Sequence, residues 1–131
     1  MPRTLARRTA LAAAAAALAA TALSGTANAS TSASYIGDGY RNNTHGVWCV
    51  QEIVNNWYEG WGPGSPRIAE DGIWGPQTKQ ALQQFQQAFS VKADGVVGPQ
   101  TGYALLTNDA HDPYQGRNGY CYTYIPTPAG Y

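Results

Sequence analysis

The fold is decided by an eight-residue stretch that occurs twice. Asp71-Gly72-Ile73-Trp74-Gly75-Pro76-Gln77-Thr78 recurs 23 residues later as Asp94-Gly95-Val96-Val97-Gly98-Pro99-Gln100-Thr101, with six of the eight positions identical. Asp-Gly is a turn pair whose glycine tolerates positive φ, and Gly-Pro opens a helix because proline suits the first helical position. The two middle residues are apolar in both copies and are predicted to point into a core. Each copy is therefore predicted to be a turn that launches a helix.

Helical periodicity around these turns predicts three helices. The first runs from about Gly46 to Glu59, with Asn43 or Thr44 available as N-cap. The second follows the first Gly-Pro, and its apolar face consists of Ala81, Leu82, Phe85, Ala88 and Phe89. The third follows the second Gly-Pro and stops near Asn108. Trp57 and Trp74 are assigned to the core. The pattern predicts an all-α, three-helix domain.

Together with Val50-Gln51 on the first helix and Ala81-Leu82-x-x-Phe85-Gln86 on the second, the two turns resemble the peptidoglycan-binding domain 1 family over about residues 45–107. The resemblance implies a small three-helix fold, usually attached to a cell-wall hydrolase, that binds the bacterial wall and has no catalytic residues of its own. Gln51 and Gln86 recur in the family pattern, so we expect them to make structural hydrogen bonds to the turn backbones. The chain departs from the family in a longer first loop, in Ser90, and in the tail.

The ends of the chain predict export. Residues 1–29 have a basic start, an Ala/Leu run from Leu11 to Leu23 and an Ala27-Asn28-Ala29 cleavage site, which together are typical of a signal peptide. The apolar run is shorter than a membrane span requires. Residues 30–44 are interpreted as a linker or a loosely held N-terminal arm, 45–107 as the peptidoglycan-binding domain, and 108–131 as a Tyr/Gly/Pro-rich tail. We therefore expect a secreted, cell-wall-associated monomer that has no membrane partner once the signal is removed.

Charge and cysteine content restrict the partners and the redox state. Without the three arginines of the signal, 5 basic and 8 acidic residues leave a net charge of −3, which makes nucleic acid an improbable partner. Cys49 and Cys121 are the two cysteines of the chain, and an exported protein can oxidise them to one disulfide that ties the tail to the first helix. Two buried thiols are the alternative.

The residues offer little for catalysis, and we predict neither a metal nor a cofactor. His45 and His111 lie at opposite ends of the domain, and a zinc hydrolase needs more imidazole ligands than these. Glu52 and Glu59 share a helix face with Trp48, but a convex helix does not enclose a sugar or raise the pKa of one carboxyl. That face is interpreted as solvated. A small amidase, carboxypeptidase or muramidase remains an alternative.

The predicted function is non-catalytic binding of peptidoglycan, glycan or stem peptide, by an aromatic and amide surface. We expect the two helix starts and the long first loop to lie near one another. The candidate binding residues are Tyr58, Trp61 and Tyr103 for stacking, and Arg67, Gln77 and Gln100 for hydrogen bonds. Tyr58 and Tyr103 could instead fill the core. A secreted protein-interaction module or inhibitor is a further alternative.

The tail contains strand-favouring residues from Tyr120 to Ile125. A strand here would place Tyr120, Tyr122 and Tyr124 on its outer face, because side chains alternate along a strand. Such a ladder is equally consistent with a glycan platform and with a lid over Trp48.

Overall fold

The computed structural model describes residues 33–60 and 67–131, so the predicted signal peptide and Trp61 lie outside the described residues. The described part forms three α-helices and one short 3-10 helix: α1 (Thr44–Gly60), α2 (Pro76–Ala88), α3 (Pro99–Thr107) and the tail 3-10 helix (Tyr120–Thr123). In these two ranges the extended pairing is limited to an isolated antiparallel bridge between Ile36 and Val97. The predicted all-α, three-helix fold is confirmed.

Each repeated turn launches a helix, as the sequence predicts. Gly72 and Gly95 have φ angles of 70° and 71°, which glycine adopts readily. Gly75 and Gly98 are extended, and a proline then occupies the first turn of α2 and of α3. The turn and the helix start therefore have the same backbone course in both copies.

Two buried glutamines hold the two turns in the same way. Gln51 Nε2 on α1 donates to Asp71 Oδ1 at 3.0 Å, to the Ile73 carbonyl at 3.1 Å and to Thr78 Oγ1 at 3.0 Å, while its Oε1 accepts the Gly72 N–H at 2.8 Å. Gln86 on α2 makes the equivalent bonds in the second turn. Its partners, at distances of 3.3, 3.0, 3.0 and 2.9 Å, are Asp94 Oδ1, the Val96 carbonyl, Thr101 Oγ1 and the Gly95 N–H. The predicted role of both glutamines is confirmed.

Helix α1 is the central element, because it packs against α2, α3 and the tail 3-10 helix. Asn43 caps it: Asn43 Oδ1 accepts the backbone N–H groups of His45 and Gly46 at 2.9 and 3.2 Å. The largest fully buried apolar side chains are Phe85, Ile36, Ile53, Leu82, Leu105, Leu106 and Ile125. Trp57 and Trp74 are partly buried and pack against this core.

Some residues predicted to be buried are exposed. Ile73 of the first turn is 68% exposed and Phe89 37% exposed, and Ala88 is also exposed. Helix α2 ends at Ala88, so Phe89 does not continue its apolar face. Phe89 lies at the edge of the core, where its ring stacks on Phe85 with the ring centroids 4.3 Å apart. Ile73 is exposed for another reason, described below: the arm covers the second turn and not the first within the described residues.

The N-terminal arm is not loosely held over its described residues. Ile36 is 1% exposed, and its N–H and carbonyl both pair with Val97. Asn42 fixes the bend that follows, since its Oδ1 accepts the Gly37 N–H at 2.8 Å and its Nδ2 donates to the Gly37 carbonyl at 3.1 Å. The expectation of a loose segment is wrong here because one isoleucine inserts into the core.

The tail is tied back by the predicted disulfide, but it is not a strand. Cys49 and Cys121 are bonded and fully buried. Tyr120–Thr123 is a 3-10 helix: the Cys121 N–H bonds to the Tyr114 carbonyl, and the Cys121 carbonyl accepts the N–H groups of Tyr124 and Ile125. The strand prediction is wrong because these local bonds satisfy the backbone, which has no neighbouring strand to pair with in the described chain.

Candidate functional site

Three of the predicted binding residues lie together in a groove between α1 and α2. This α1–α2 groove has a volume of about 250 Å³ and is lined by Tyr58, Arg67, Ile68, Gln77, Gln80, Ala81 and Gln84. Tyr58 is only 6% exposed, its hydroxyl donates to Gln84 Oε1, and burial raises its pKa. Arg67 forms ion pairs with Glu59 and Glu70. In this groove the tyrosine offers mainly its edge, and Arg67 and Gln77 offer the polar groups.

The other predicted residues lie elsewhere. Gln77 also lines a groove over the first turn, whereas Gln100 lines a separate groove over the second turn. Tyr103 is 48% exposed and packs edge-on against Tyr131, with ring centroids 5.0 Å apart. Trp61 lies outside the described residues. The six candidates therefore do not form one continuous cluster in the described chain.

The first-turn groove has a volume of about 390 Å³ and the second-turn groove about 500 Å³. The first is lined by Gln51, Ile68, Ala69, Asp71, Ile73, Gly75, Pro76, Gln77 and Thr78. The second is lined by Tyr35, Val91, Lys92, Asp94, Val96, Gly98, Pro99, Gln100, Thr101 and Pro128. Every residue of the first groove from Ile68 onward has its counterpart 23 positions later in the second. The sequence repeat thus produces two equivalent grooves.

The two grooves differ in what the ends of the chain add. Tyr35 from the arm and Pro128 from the tail help line the second-turn groove. The arm also reaches the first turn through Asp38, which accepts hydrogen bonds from Trp74 Nε1 at 2.9 Å and Lys79 Nζ at 2.6 Å. The Lys79 bond, and then the Trp74 bond, lower the pKa of Asp38. Asp71 in the first turn has a lowered pKa because its carboxylate accepts the Ile73 N–H and a Gln51 bond.

A cleft between α1 and the tail was not foreseen from the sequence. It has a volume of about 240 Å³ and is lined by Trp48, Glu52, Asn56, Glu59, Arg67, Glu70, Asp112, Pro113 and Tyr114. Burial, and next the charges of Asp112 and Glu70, raise the pKa of Glu52 to about 7. The interpretation of this helix face as solvated is wrong for Glu52, because the tail forms a second wall beside the helix. The contact is between residues 60 positions apart, which helical periodicity does not reveal.

Trp48 at the rim of this cleft is covered by aromatic rings from the tail. Tyr114 and Tyr120 pack edge-on against it, with centroid distances of 5.2 and 5.9 Å. His45 stacks on Tyr124 at 5.0 Å, and its Nδ1 lies 2.5 Å from the Tyr120 hydroxyl. Of the two interpretations of the tail tyrosines, these contacts favour the lid over Trp48.

Within residues 33–60 and 67–131, no group of three or more histidine, cysteine or acidic side chains is placed to hold a metal ion. In the same part of the chain, no helix combines the length and apolar character that a membrane crossing would need. The arrangement that remains is a helical scaffold with shallow grooves lined by amide, apolar and proline residues. Such surfaces are typical of binding.

Comparison with known families agrees with this class of protein. Residues 55–105 match the family model described as "Putative peptidoglycan binding domain". The matched segment begins in the middle of α1, contains both repeated turns and ends in α3. No curated protein and no solved structure matched the chain. The resemblance identified from the sequence is therefore confirmed over residues 55–105.

Proposed function

We propose that the protein is a secreted, non-catalytic binder of peptidoglycan, and that the first-turn groove with the adjoining α1–α2 groove is its binding surface. The observation that supports this proposal is that, apart from Gln51, every residue lining these two grooves lies inside the matched segment, where Gln77 contributes to both. Amide groups from Gln77, Gln80 and Gln84 and the Arg67 guanidinium supply hydrogen-bond donors. Ile68 and Ile73 supply apolar contact. Trp61, six residues before Arg67 in the sequence, is retained from the sequence analysis as the expected stacking residue.

Tyr103 and Gln100 belong to a secondary part of this proposal. Tyr103 is exposed on α3, and Gln100 lines the second-turn groove, so both are available for contact with an extended polymer such as a glycan strand. Their separation from Tyr58, Arg67 and Gln77 means that a single short ligand is not expected to touch both groups. Binding at both places would require a ligand with repeating units.

The experiment that tests the proposed function is co-sedimentation of the chain from Ser30 onward with purified, protein-free sacculi. We expect the protein to pellet with sacculi, and Arg67→Ala and Gln77→Ala each to weaken this binding several-fold. Arg41→Ala is the matched control, because Arg41 is an exposed arginine that lines neither the first-turn groove, nor the α1–α2 groove, nor the second-turn groove. Failure of the wild-type protein to bind sacculi, combined with capture of one specific protein, would favour the interaction-module alternative.

A wall hydrolase is the second candidate, and Glu52 is the observation that favours it. A carboxyl with a pKa of about 7 has the property of a general acid near neutral pH. Its acidic neighbour Asp112, however, already accepts bonds from Asn56 Nδ2 at 2.6 Å, Gln115 Nε2 at 2.8 Å and the Tyr114 N–H at 2.8 Å. A carboxylate held in this way supports the tail. We therefore assign these two acids to structure.

Release of soluble fragments distinguishes binder from hydrolase. Labelled sacculi are incubated with the wild-type protein, with Glu52→Gln and with a heat-denatured sample. We expect equal background release from all three. Release by the wild type alone, lost in Glu52→Gln while sacculus binding persists, would make the protein a hydrolase.

A further inference from the structure

The N-terminal arm occupies the second turn as an extended peptide. The Ile36 N–H donates to the Val97 carbonyl at 3.2 Å, and the Val97 N–H donates to the Ile36 carbonyl at 2.8 Å. The next residue, Gly37, lies directly against Val96: a Cβ added to it would be 3.1 Å from Val96 Cγ2. One residue of the arm therefore pairs by its main chain, and its small neighbour covers the apolar residue of the turn.

The equivalent place on the first turn is open. Val96 and Val97 correspond to Ile73 and Trp74 at the offset of 23. Val97 is fully buried and Val96 half-buried, whereas Ile73 is the most exposed of the large apolar side chains in the described chain. Among the described residues, nothing bonds to the backbone N–H or carbonyl of Trp74. The first turn thus has the pairing groups of the second turn, with no strand from residues 33–60 or 67–131 bonded to them.

The two turns have nearly the same backbone conformation and the same internal hydrogen bonds. The glutamine hydrogen bonds agree to within 0.3 Å across the two copies, and the key glycines share the same φ. A backbone held in the same conformation directs its N–H and carbonyl in the same way. An extended segment that pairs with Val97 therefore has an equivalent docking position at Trp74.

We propose that the first turn docks an extended peptide at Trp74 as the second turn docks the arm at Ile36, and that this peptide is the stem peptide of peptidoglycan. The inference rests on the proposed function and specifies which part of the polymer is bound. A free N–H and carbonyl on one residue match the main chain of an extended peptide, which presents the same two groups. The acetamido groups of a peptidoglycan glycan also carry an N–H and a carbonyl, but a trans amide directs the two to opposite sides, whereas one residue of an extended peptide directs both to the same side.

The arm also defines the side chain that fits beside the pairing residue. Gly37 faces Val96, and on the first turn the corresponding neighbour would face Ile73, with Ile68 lining the same groove. The space beside the second turn suits a hydrogen, and a Cβ on Gly37 would lie 3.1 Å from Val96 Cγ2, so a methyl group fits there only if its neighbours shift by a few tenths of an ångström. Stem peptides contain alanine, whose methyl group is the smallest side chain after hydrogen, and its contact with Ile73 would remove exposed apolar surface from water.

The test is an NMR titration of the ¹⁵N-labelled chain from Ser30 onward. The probes are a soluble disaccharide carrying a stem peptide and the same glycan with its peptide removed. We expect the peptide-bearing fragment to shift the Trp74 amide and its neighbours, with no shift at Val97, whose pairing groups are occupied. The peptide-free glycan is expected to leave the Trp74 amide unchanged.

A variant makes the result quantitative. Ile73→Ser should weaken binding to sacculi by about tenfold, the effect of losing one buried aliphatic contact, without changing the melting curve. Tyr40→Ser is the control, since Tyr40 is an exposed residue with a large apolar ring that lines none of the grooves described above. Sacculus binding with equal shifts from both fragments, or with shifts at Val97 and none at Trp74, would overturn the inference and leave the proposed function standing. Absence of any sacculus binding would overturn both.

Discussion

The two Asp-Gly turns are nearly identical in sequence and internal hydrogen bonding, yet their surroundings differ. Each is held by one buried glutamine, from α1 in the first turn and from α2 in the second. At the second turn, Ile36 of the arm occupies the backbone pairing groups of Val97, and Pro128 of the tail helps line the groove. The first turn leaves Ile73 exposed. A repeat therefore specifies local structure, whereas residues outside the repeat specify which copy remains accessible.

This difference has a consequence for function. The second turn serves as an internal control for ligand binding at the first turn, because its backbone is already paired with an extended segment at Ile36. Ligand-induced changes at the first turn can be compared with a second turn in the same molecule. The ends of the chain also determine the accessibility of the second turn, so disturbing them should make the two turns more alike.

The largest expected effect comes from releasing the tail. Cys49→Ser with Cys121→Ser opens a cross-link between residues 72 apart in sequence. The chain-entropy model gives about 4 kcal/mol for a loop of this size, so the free energy of unfolding should fall by about that amount. Chemical denaturation of the oxidised protein and the double variant measures the loss.

Hydrogen exchange on the same double variant addresses the comparison of the turns. The tail packs closely against α3: the Pro126 carbonyl lies so near Gly102 that a Cβ on this glycine would collide with it. We expect amides of α3 and the second turn to lose more protection than those of the first turn. Equal loss at both turns would mean that the tail does not close the second turn selectively.

A smaller effect is expected from each glutamine. Gln51 and Gln86 are buried and each makes four hydrogen bonds to its turn, so Gln51→Ala and Gln86→Ala should each lower the free energy of unfolding by about 2–3 kcal/mol. Exposed Gln87→Ala provides the baseline, with a change near zero expected. If Gln51→Ala and Gln86→Ala lowered the free energy of unfolding by clearly different amounts, the two turns would have the same geometry but different contributions to stability.

Much of the fold was predictable because its determinants are local. The turn-and-helix pattern, the two glutamines and the disulfide follow from motif, periodicity and compartment, and the structure bears them out. The insertion of Ile36 and the exposure of Ile73 were not predictable, because they depend on where the arm crosses the domain. The tail was predicted as a strand from residue type, although its backbone is satisfied by local bonds around Cys121.

The candidate site was harder to predict for the same reason. Tyr58, Arg67 and Gln77 lie in one groove, but Gln100 and Tyr103 follow the second turn and α3 to another part of the surface. A repeat in sequence does not indicate the distance between its copies. The raised pKa of Glu52, caused first by burial and next by the charge of Asp112, likewise depends on residues of the tail that lie against α1.

The smallest expected effect concerns that contact between the tail and α1. The tail lines the second-turn groove with the uncharged residue Pro128, but beside α1 it brings Asp112 toward Glu52. Glu70 faces the same carboxyl with like charge, and Arg67 with opposite charge. The tail should therefore become less favourable against α1 once Glu52 ionises.

The direction of the pH dependence follows from the two pKa values. Glu52 has a pKa of about 7 in the folded protein, against 4.5 for an unperturbed glutamate. The folded state therefore binds the proton more tightly, and stability should fall as pH rises from about 4.5 through 7. In a fully buried group, each pKa unit of this shift would correspond to about 1.36 kcal/mol of stability. Because the cleft is partly open to solvent, we expect a total loss of only about 1 kcal/mol over the whole shift. Denaturation midpoints of the wild type and Glu52→Gln from pH 4 to 8 measure it, with the slope reduced in the variant. Identical slopes in the two proteins would mean that the tail contact is insensitive to this charge.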